Sequence, residues 1–207
     1  MIVLNIEQQS EAWVQARCGR VTGTRFKNLM SKETTDSYKD LITNIACEMI
    51  TGRMEETYSN AIMEYGIETE PEARKEYETI LGIEVITAGF ILPDEGHKYH
   101  EWIGISPDGI TPDNGMIEIK CPLMRTHLEY IEAGKLPAEY RYQVQGQLFV
   151  TGFEYCDFVS YVNDMKPFIS RVLPDQELFA EFEKRLDILI QKVQEKIELY
   201  KNYNYYE

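Results

Sequence analysis

The stretch WIGISPDGITPDNGMIEIKCP, Trp102–Pro122, carries two turn signals a few residues apart, SPDG and PDNG. Proline presets φ and glycine adopts conformations other residues avoid, so both tetrads favour tight turns. PDNG between alternating apolar residues predicts a hairpin that pairs the segment before it with the segment after it. Side chains two apart on a strand share a face, so Glu118 and Lys120 point one way and Ile117 and Ile119 the other. Paired strands lie roughly 4.8 Å apart, which brings Asp108 of the first turn near Glu118. Two carboxylates at that separation repel each other unless a cation lies between them. Hard oxygen ligands with spare water positions suit Mg²⁺ or Mn²⁺. Lys120 beside them would position or help deprotonate an attacking water, or stabilise charge developing on a phosphate.

The competing reading is a solvent-exposed hairpin face with a simple Glu–Lys pair. Two features weigh against it. PDNG alone closes the hairpin, so the first turn adds nothing to that closure. Pro122 ends the strand directly after Lys120, leaving the polar pair at the carboxyl end, where ligand sites of open α/β sheets lie.

Outward from the hairpin, helical and strand patterns divide the chain. SEAWVQARCGRVTGTRFKNLM suggests a short helix, a Gly-containing turn and a second helix capped by Thr22 or Thr24. SYKDLITNIACEMITG repeats Leu41, Ile42, Ile45 and Met49 at helical spacing and ends at Gly52. AIMEYGIETEPEARKEYETILG reads as helix to Gly82, with Pro71 at a first-turn position or a kink. IEVITAGFILP and HKYHEWIGIS predict strands from their β-branched and aromatic content. After the hairpin come helical patterns in MRTHLEYIEAG and PAEYRYQVQGQLFVTG, and a strand pair, EYCDFVSYV and PFISRVL, turning at Asn163-Asp164. A long helix at about 175–201 closes the chain, its apolar residues from Phe179 to Tyr200 recurring at three and four. The order predicts an α/β (α+β) sandwich with a central mixed β-sheet flanked by helices, a single domain over residues 1–207.

The four cysteines lie far apart without a CxxC pair, which disfavours a disulfide framework or an iron–sulfur cluster. No run of about 18 apolar residues predicts a membrane helix. The first residues lack a basic leader, so a cytoplasmic location is expected. A formal net charge of −14 argues against nucleic acid when taken alone, because phosphate contacts need Lys and Arg. The charge is uneven, however. Arg17, Arg20, Arg25 and Lys27 make the first thirty residues locally basic, and such a strip holds phosphate on an otherwise acidic surface.

Pro107-Asp108 followed by Glu118-Ile119-Lys120 resembles the PD-(D/E)xK nuclease motif. The longer SPDG…IEIKCP is similar to the lambda-exonuclease type of phage recombination exonuclease, the YqaJ viral recombinase family. EAWVQARCGRVTGT, YGIETEPEAR and YRYQVQGQLFVTG resemble further landmarks of that family in the same order, from about Glu11 to about Gly152. The resemblance implies a restriction-endonuclease-like fold. It implies that Asp108, Glu118 and the Ile119 carbonyl bind one or two Mg²⁺ or Mn²⁺ ions, and that Lys120 is the catalytic lysine. Glu70 would reach the metal directly or through water, and Gln143 would orient substrate or water. Arg17, with Thr22 and Thr24, would bind a terminal 5′-phosphate. An arginine fork and threonine hydroxyls near a helix start suit an anion, although Arg20 competes with Arg17 for that role.

The activity implied is metal-dependent 5′→3′ degradation of one strand of linear double-stranded DNA from a 5′-phosphorylated end, serving recombination by strand annealing. The resemblance also implies a ring-shaped homotrimer, a single-strand annealing protein as partner, and a phage or prophage origin in a bacterial host. An endonuclease of the same fold and a catalytically inactive DNA-binding module are the alternatives.

Overall fold

The computed structural model describes residues 1–55 and 61–204. The chain runs through β1 (Ile2–Leu4), α1 (Glu11–Arg17), β2 (Val21–Thr22), α2 (Arg25–Leu29), α3 (Asp36–Thr51) and α4 (Ala61–Leu81). Short strands β3 (Phe90–Leu92) and β4 (Ile103–Gly104) precede the hairpin of β5 (Gly109–Thr111) and β6 (Gly115–Lys120). Helices α5 (Met124–Ala133) and α6 (Arg141–Thr151), strands β7 (Tyr155–Ser160) and β8 (Phe168–Val172), and helix α7 (Gln176–Lys201) complete it.

The hairpin forms where PDNG places it. Thr111 pairs with Gly115, leaving Pro112-Asp113-Asn114 as a three-residue loop. Asn114 takes the left-handed position at φ 64°. Gly115 has a packing role, because a Cβ there would lie 2.2 Å from the Tyr155 ring. β6 pairs parallel with β7, and β7 antiparallel with β8, so the four-stranded sheet β5-β6-β7-β8 is mixed. The parallel pair needs a long crossover, which α5 and α6 supply.

Two expectations need correction. IEVITAGFILP forms only β3 and one isolated bridge, Ile86 to Ile110. HKYHEWIGIS forms only β4 and one isolated bridge, Ile105 to Ile91, because turns between Asp94 and Trp102 consume its other backbone bonds. Of the two places open to Pro71, it takes the one inside α4, where it removes the donor that would bond the Ile67 carbonyl. Strands β1 and β2 add to the expected set. β1 pairs antiparallel with β3, and β2 pairs parallel with β4. Thr24, not Thr22, takes the cap position of α2, without a side-chain cap bond.

The sheet is covered on both faces. Ala73 and Tyr77 of α4 pack on Ile117 and Ile119, while Val144 and Leu148 of α6 pack on Met116 and Cys156. The alternation of β6 is thereby sorted: isoleucines face α4, and Met116, Glu118 and Lys120 face α6. A larger core joins α2 and α3 to α7 through Phe26, Leu29, Tyr38, Ile45, Phe182 and Leu186. Each large apolar side chain buried there contributes about 1.5–3 kcal/mol.

Candidate active site

The pairing of Gly109 with Ile117 puts Asp108 opposite Glu118. The backbone N–H of Asp108 donates to the Ile117 carbonyl at 3.2 Å, and its Oδ2 accepts from the Ile119 N–H at 2.6 Å. Glu118 is 1% exposed, so the solvent-face reading of the hairpin fails. Buried carboxylates need donors. Lys120 Nζ and Gln143 Nε2 both donate to Glu118 Oε1, and Gln147 Nε2 donates to Oε2 at 2.6 Å. Lys120 also lies over the Tyr140 ring, 5.4 Å from its centroid. Glu70 projects from α4 on the far side and is ion-paired with Arg74.

Glu70, Asp108, Ile119, Lys120, Cys121 and Tyr140 line one cavity of about 580 Å³, and Glu118 is buried beside it. Burial, followed by the Glu118 charge, raises Asp108 well above the usual carboxylate range. Burial raises Glu70 as well, against the pull of Arg74. Burial lowers Lys120, but Glu118 and Asp108 outweigh it and hold the ammonium above its ordinary value.

The first turn is held residue by residue. Trp13 Nε1 donates to Ser106 Oγ at 2.7 Å, Gln8 Nε2 to the Pro107 carbonyl at 3.3 Å, and Arg74 Nε to the Asp108 carbonyl at 3.0 Å. Four elements thus define where Asp108 sits: the N-terminal segment, α1, α4 and β6.

The candidate phosphate residues are more dispersed. Arg17 lies with its guanidinium 4.1 Å from the centroid of the Trp13 ring, whose N–H bonds Ser106. Burial and the Arg25 charge lower Arg17 to about 10, partly countered by Glu48. Among the described residues none accepts a hydrogen bond from its guanidinium. Arg20 donates through Nη1 to the Ala16 and Cys18 carbonyls and pairs with Glu101, while its Nε is buried without a partner among the described residues; Arg25 pairs with Glu48. Thr22 Oγ1 is buried without a partner among the described residues. Thr24 lines a separate cavity of about 330 Å³ with Lys27, Asn28, Tyr140 and Gln143. No hydrogen bond among the described residues joins Arg17, Thr22 and Thr24.

Two residues escape motif reasoning. Gln-x-Gln spacing singles out Gln143 and Gln145, but α6 turns Gln145 away to the Leu173 carbonyl and the Asp175 N–H. Gln147, one turn beyond Gln143, reaches Glu118 instead; spacing of four on a helix is the signal that finds it. Arg74 follows Glu70 by the same interval.

A divalent ion fits the donor chemistry. The candidate ligands are all oxygens, and burial together with the neighbouring Glu118 charge disfavours the Asp108 carboxylate in a way a cation would relieve. Among the described residues, however, no three acidic, imidazole or thiol groups converge to cage an ion alone. Mg²⁺ keeps several waters and completes its shell with substrate oxygens, so a full protein cage is unnecessary.

The fold with its covered mixed sheet is restriction-endonuclease-like. Residues 12–154 match the YqaJ-like viral recombinase domain, and the chain belongs to that family. It is similar to the crystal structure of an alkaline exonuclease (LHK-Exo) from Laribacter hongkongensis: 37% identity, TM-score 0.82, covering 93% of this chain and 96% of that one. The structure of LHK-Exo in complex with dAMP matches at 36% identity and TM-score 0.83 over the same shares. A phage-related exonuclease from Haemophilus somnus shares the fold at 16% identity and TM-score 0.64, over 86% and 95% of the two chains. An uncharacterized protein of Acanthamoeba polyphaga mimivirus is 30% identical over 169 residues, covering 74% of this chain. The chain spans 29% of that curated relative's length. No helix among the described residues is long and apolar enough to cross a membrane.

Proposed function

We propose that the chain is a metal-dependent 5′→3′ exonuclease that degrades one strand of linear double-stranded DNA from a 5′-phosphorylated end. The observation that carries this reading is that Glu70, Asp108 and Lys120 line one cavity, with Glu118 buried beside it and bonded to Lys120. Family membership and the likeness to LHK-Exo support the exonuclease class.

Asp108, Glu118, the Ile119 carbonyl and Glu70 would hold one or two Mg²⁺ or Mn²⁺ ions. When bound, such an ion supplies Lewis-acid stabilisation of the phosphate oxygens and lowers the pKa of water. Lys120, bonded to Glu118 at the cavity, would position or help deprotonate the attacking water, or stabilise charge developing on the phosphate. Gln143 and Gln147 hold the Glu118 carboxylate in one orientation. Water attacks the scissile phosphorus and the bond to the 3′-oxygen breaks. That oxygen takes a proton and leaves with the mononucleotide, and the shortened strand keeps a new 5′-phosphate. Every turnover therefore regenerates the end that Arg17 is suited to bind. Its desolvated guanidinium, still charged at neutral pH, favours an anionic partner. Thr22 and Thr24 would assist it.

The same reading includes a ring-shaped homotrimer and a single-strand annealing protein that takes over the strand left behind, as suits a recombinase family. The host would be bacterial, with the gene on a phage or prophage and the protein in the cytoplasm.

The test is digestion with Mg²⁺ or Mn²⁺ of linear duplex DNA phosphorylated at one 5′ end only, beside a closed circle. Loss of the strand from the phosphorylated end, an intact circle and an inert Asp108→Ala variant are expected. A cut circle would make the protein an endonuclease. No cleavage with either ion would leave a DNA-binding module.

A further inference from the structure

Arg74 lies on α4 one turn beyond Glu70, and its guanidinium is divided between two partners. Nη2 donates to Glu70 Oε1, and Nε donates to the Asp108 backbone carbonyl at 3.0 Å. One planar fork thus joins helix α4 to the first turn of the hairpin. We propose that Arg74 is a positioning residue that sets the separation of Glu70 and Asp108, and through it the affinity of the site for a divalent cation. The proposal rests on the reading that these two carboxylates hold the ion.

Three observations distinguish this contact from an ordinary helix-surface ion pair. A surface pair at this spacing uses side chains that water competes for, and it contributes little. Here the Arg74 and Glu70 side chains are 18% and 29% exposed. The second edge of the guanidinium reaches a carbonyl on another element, 34 residues along the chain. That carbonyl belongs to the residue whose carboxylate accepts from Ile119, so both ends of Asp108 are held. Finally, Pro71 follows Glu70 directly and takes a backbone donor out of this turn of α4. The helix alone holds Glu70 less firmly, and the tie to the hairpin matters more.

The competing role for Arg74 is purely electrostatic, and the two roles have opposite signs. Removing a positive charge beside carboxylates tightens cation binding. Losing the geometry weakens it. Arg74→Gln removes both charge and fork, whereas Arg74→Lys keeps the charge and loses the two-armed contact. The full chain is titrated calorimetrically with Mn²⁺ alone, and kcat and KM are measured on 5′-phosphorylated linear duplex.

We expect Mn²⁺ binding about tenfold weaker in Arg74→Gln, with a loss of similar sign in Arg74→Lys, the scale typical of groups that orient metal ligands. Falling kcat at unchanged KM for DNA accompanies it. Unchanged or tighter Mn²⁺ binding in both variants would overturn the proposal. Arg74→Lys carries the test if Arg74→Gln proves unfolded by thermal melting. The underlying metal reading fails separately: wild-type protein would bind no Mn²⁺, or Asp108→Asn would bind it as well as wild type.

Discussion

Gln147 on α6 donates to Oε2 of Glu118 on β6 at 2.6 Å, while Lys120 and Gln143 share the other oxygen. Helix α6 thus holds both carboxylate oxygens, and the lysine shares one of them. Gln147 Oε1 is buried without a partner among the described residues, so this side chain serves the site through its N–H group. Gln147→Leu removes one hydrogen bond to a buried charge, which costs about 1.5–3 kcal/mol. A lower melting temperature and reduced nuclease activity are expected together. Gln147→Glu sets a second carboxylate against Glu118 and should be inactive, read by the same two assays.

Asp108 carries a pH dependence of definite sign. Burial and then the Glu118 charge raise its pKa in the folded protein. Such a group binds its proton more tightly when folded, so stability falls as pH rises from the unfolded pKa through the folded one. Asparagine does not ionise, and it retains the acceptor for the Ile119 N–H. Metal-free Asp108→Asn should therefore melt above wild type in mildly alkaline buffer, with the gap closing in acid. A gap independent of pH would contradict the assignment.

Trp13 has two jobs that substitution can separate. Its indole N–H bonds Ser106, and its ring face carries Arg17. Trp13→Phe keeps the face and should slow cleavage while preserving the preference for 5′-phosphoryl over 5′-hydroxyl ends. Trp13→Ala should lose that preference as well. The ratio of initial rates on the two substrates reports the difference.

Gly146 on α6 faces Phe26, and a Cβ there would lie 2.4 Å from the ring. Gly146→Ala must push α6 off α2, at about 1–3 kcal/mol of overpacking. The displacement moves Gln143 and Gln147 away from Glu118. A lower urea midpoint and a fall in kcat are expected in the same variant.

The hairpin and α7 were legible because each rests on local chemistry: turn residues at 112–115 and apolar spacing over 176–201. The carboxylate–lysine cluster followed from strand alternation once the hairpin was set. β1 and β2 were not legible, since two or three residues carry no periodicity and are held by partners far along the chain. The regions before β3 and β4 look like strands by composition, but long-range pairing reaches only a few of their residues. Gln147 and Arg74 are not legible in the sequence for a common reason. Their partners, Glu118 and the Asp108 carbonyl, become neighbours only when helices α6 and α4 close on opposite faces of the sheet.

The core that joins α2 and α3 to α7 has a consequence for the nascent chain. The residues that complete this core, Leu178 to Val193, leave the ribosome after every candidate catalytic group. Helix α6, which holds Glu118, packs on α7 and on α2. A growing polypeptide therefore carries its acidic cluster before it has the scaffold to aim it. Hydrolytic competence should arise late in synthesis, when the closing helix docks, so that truncated translation products spare the DNA around them.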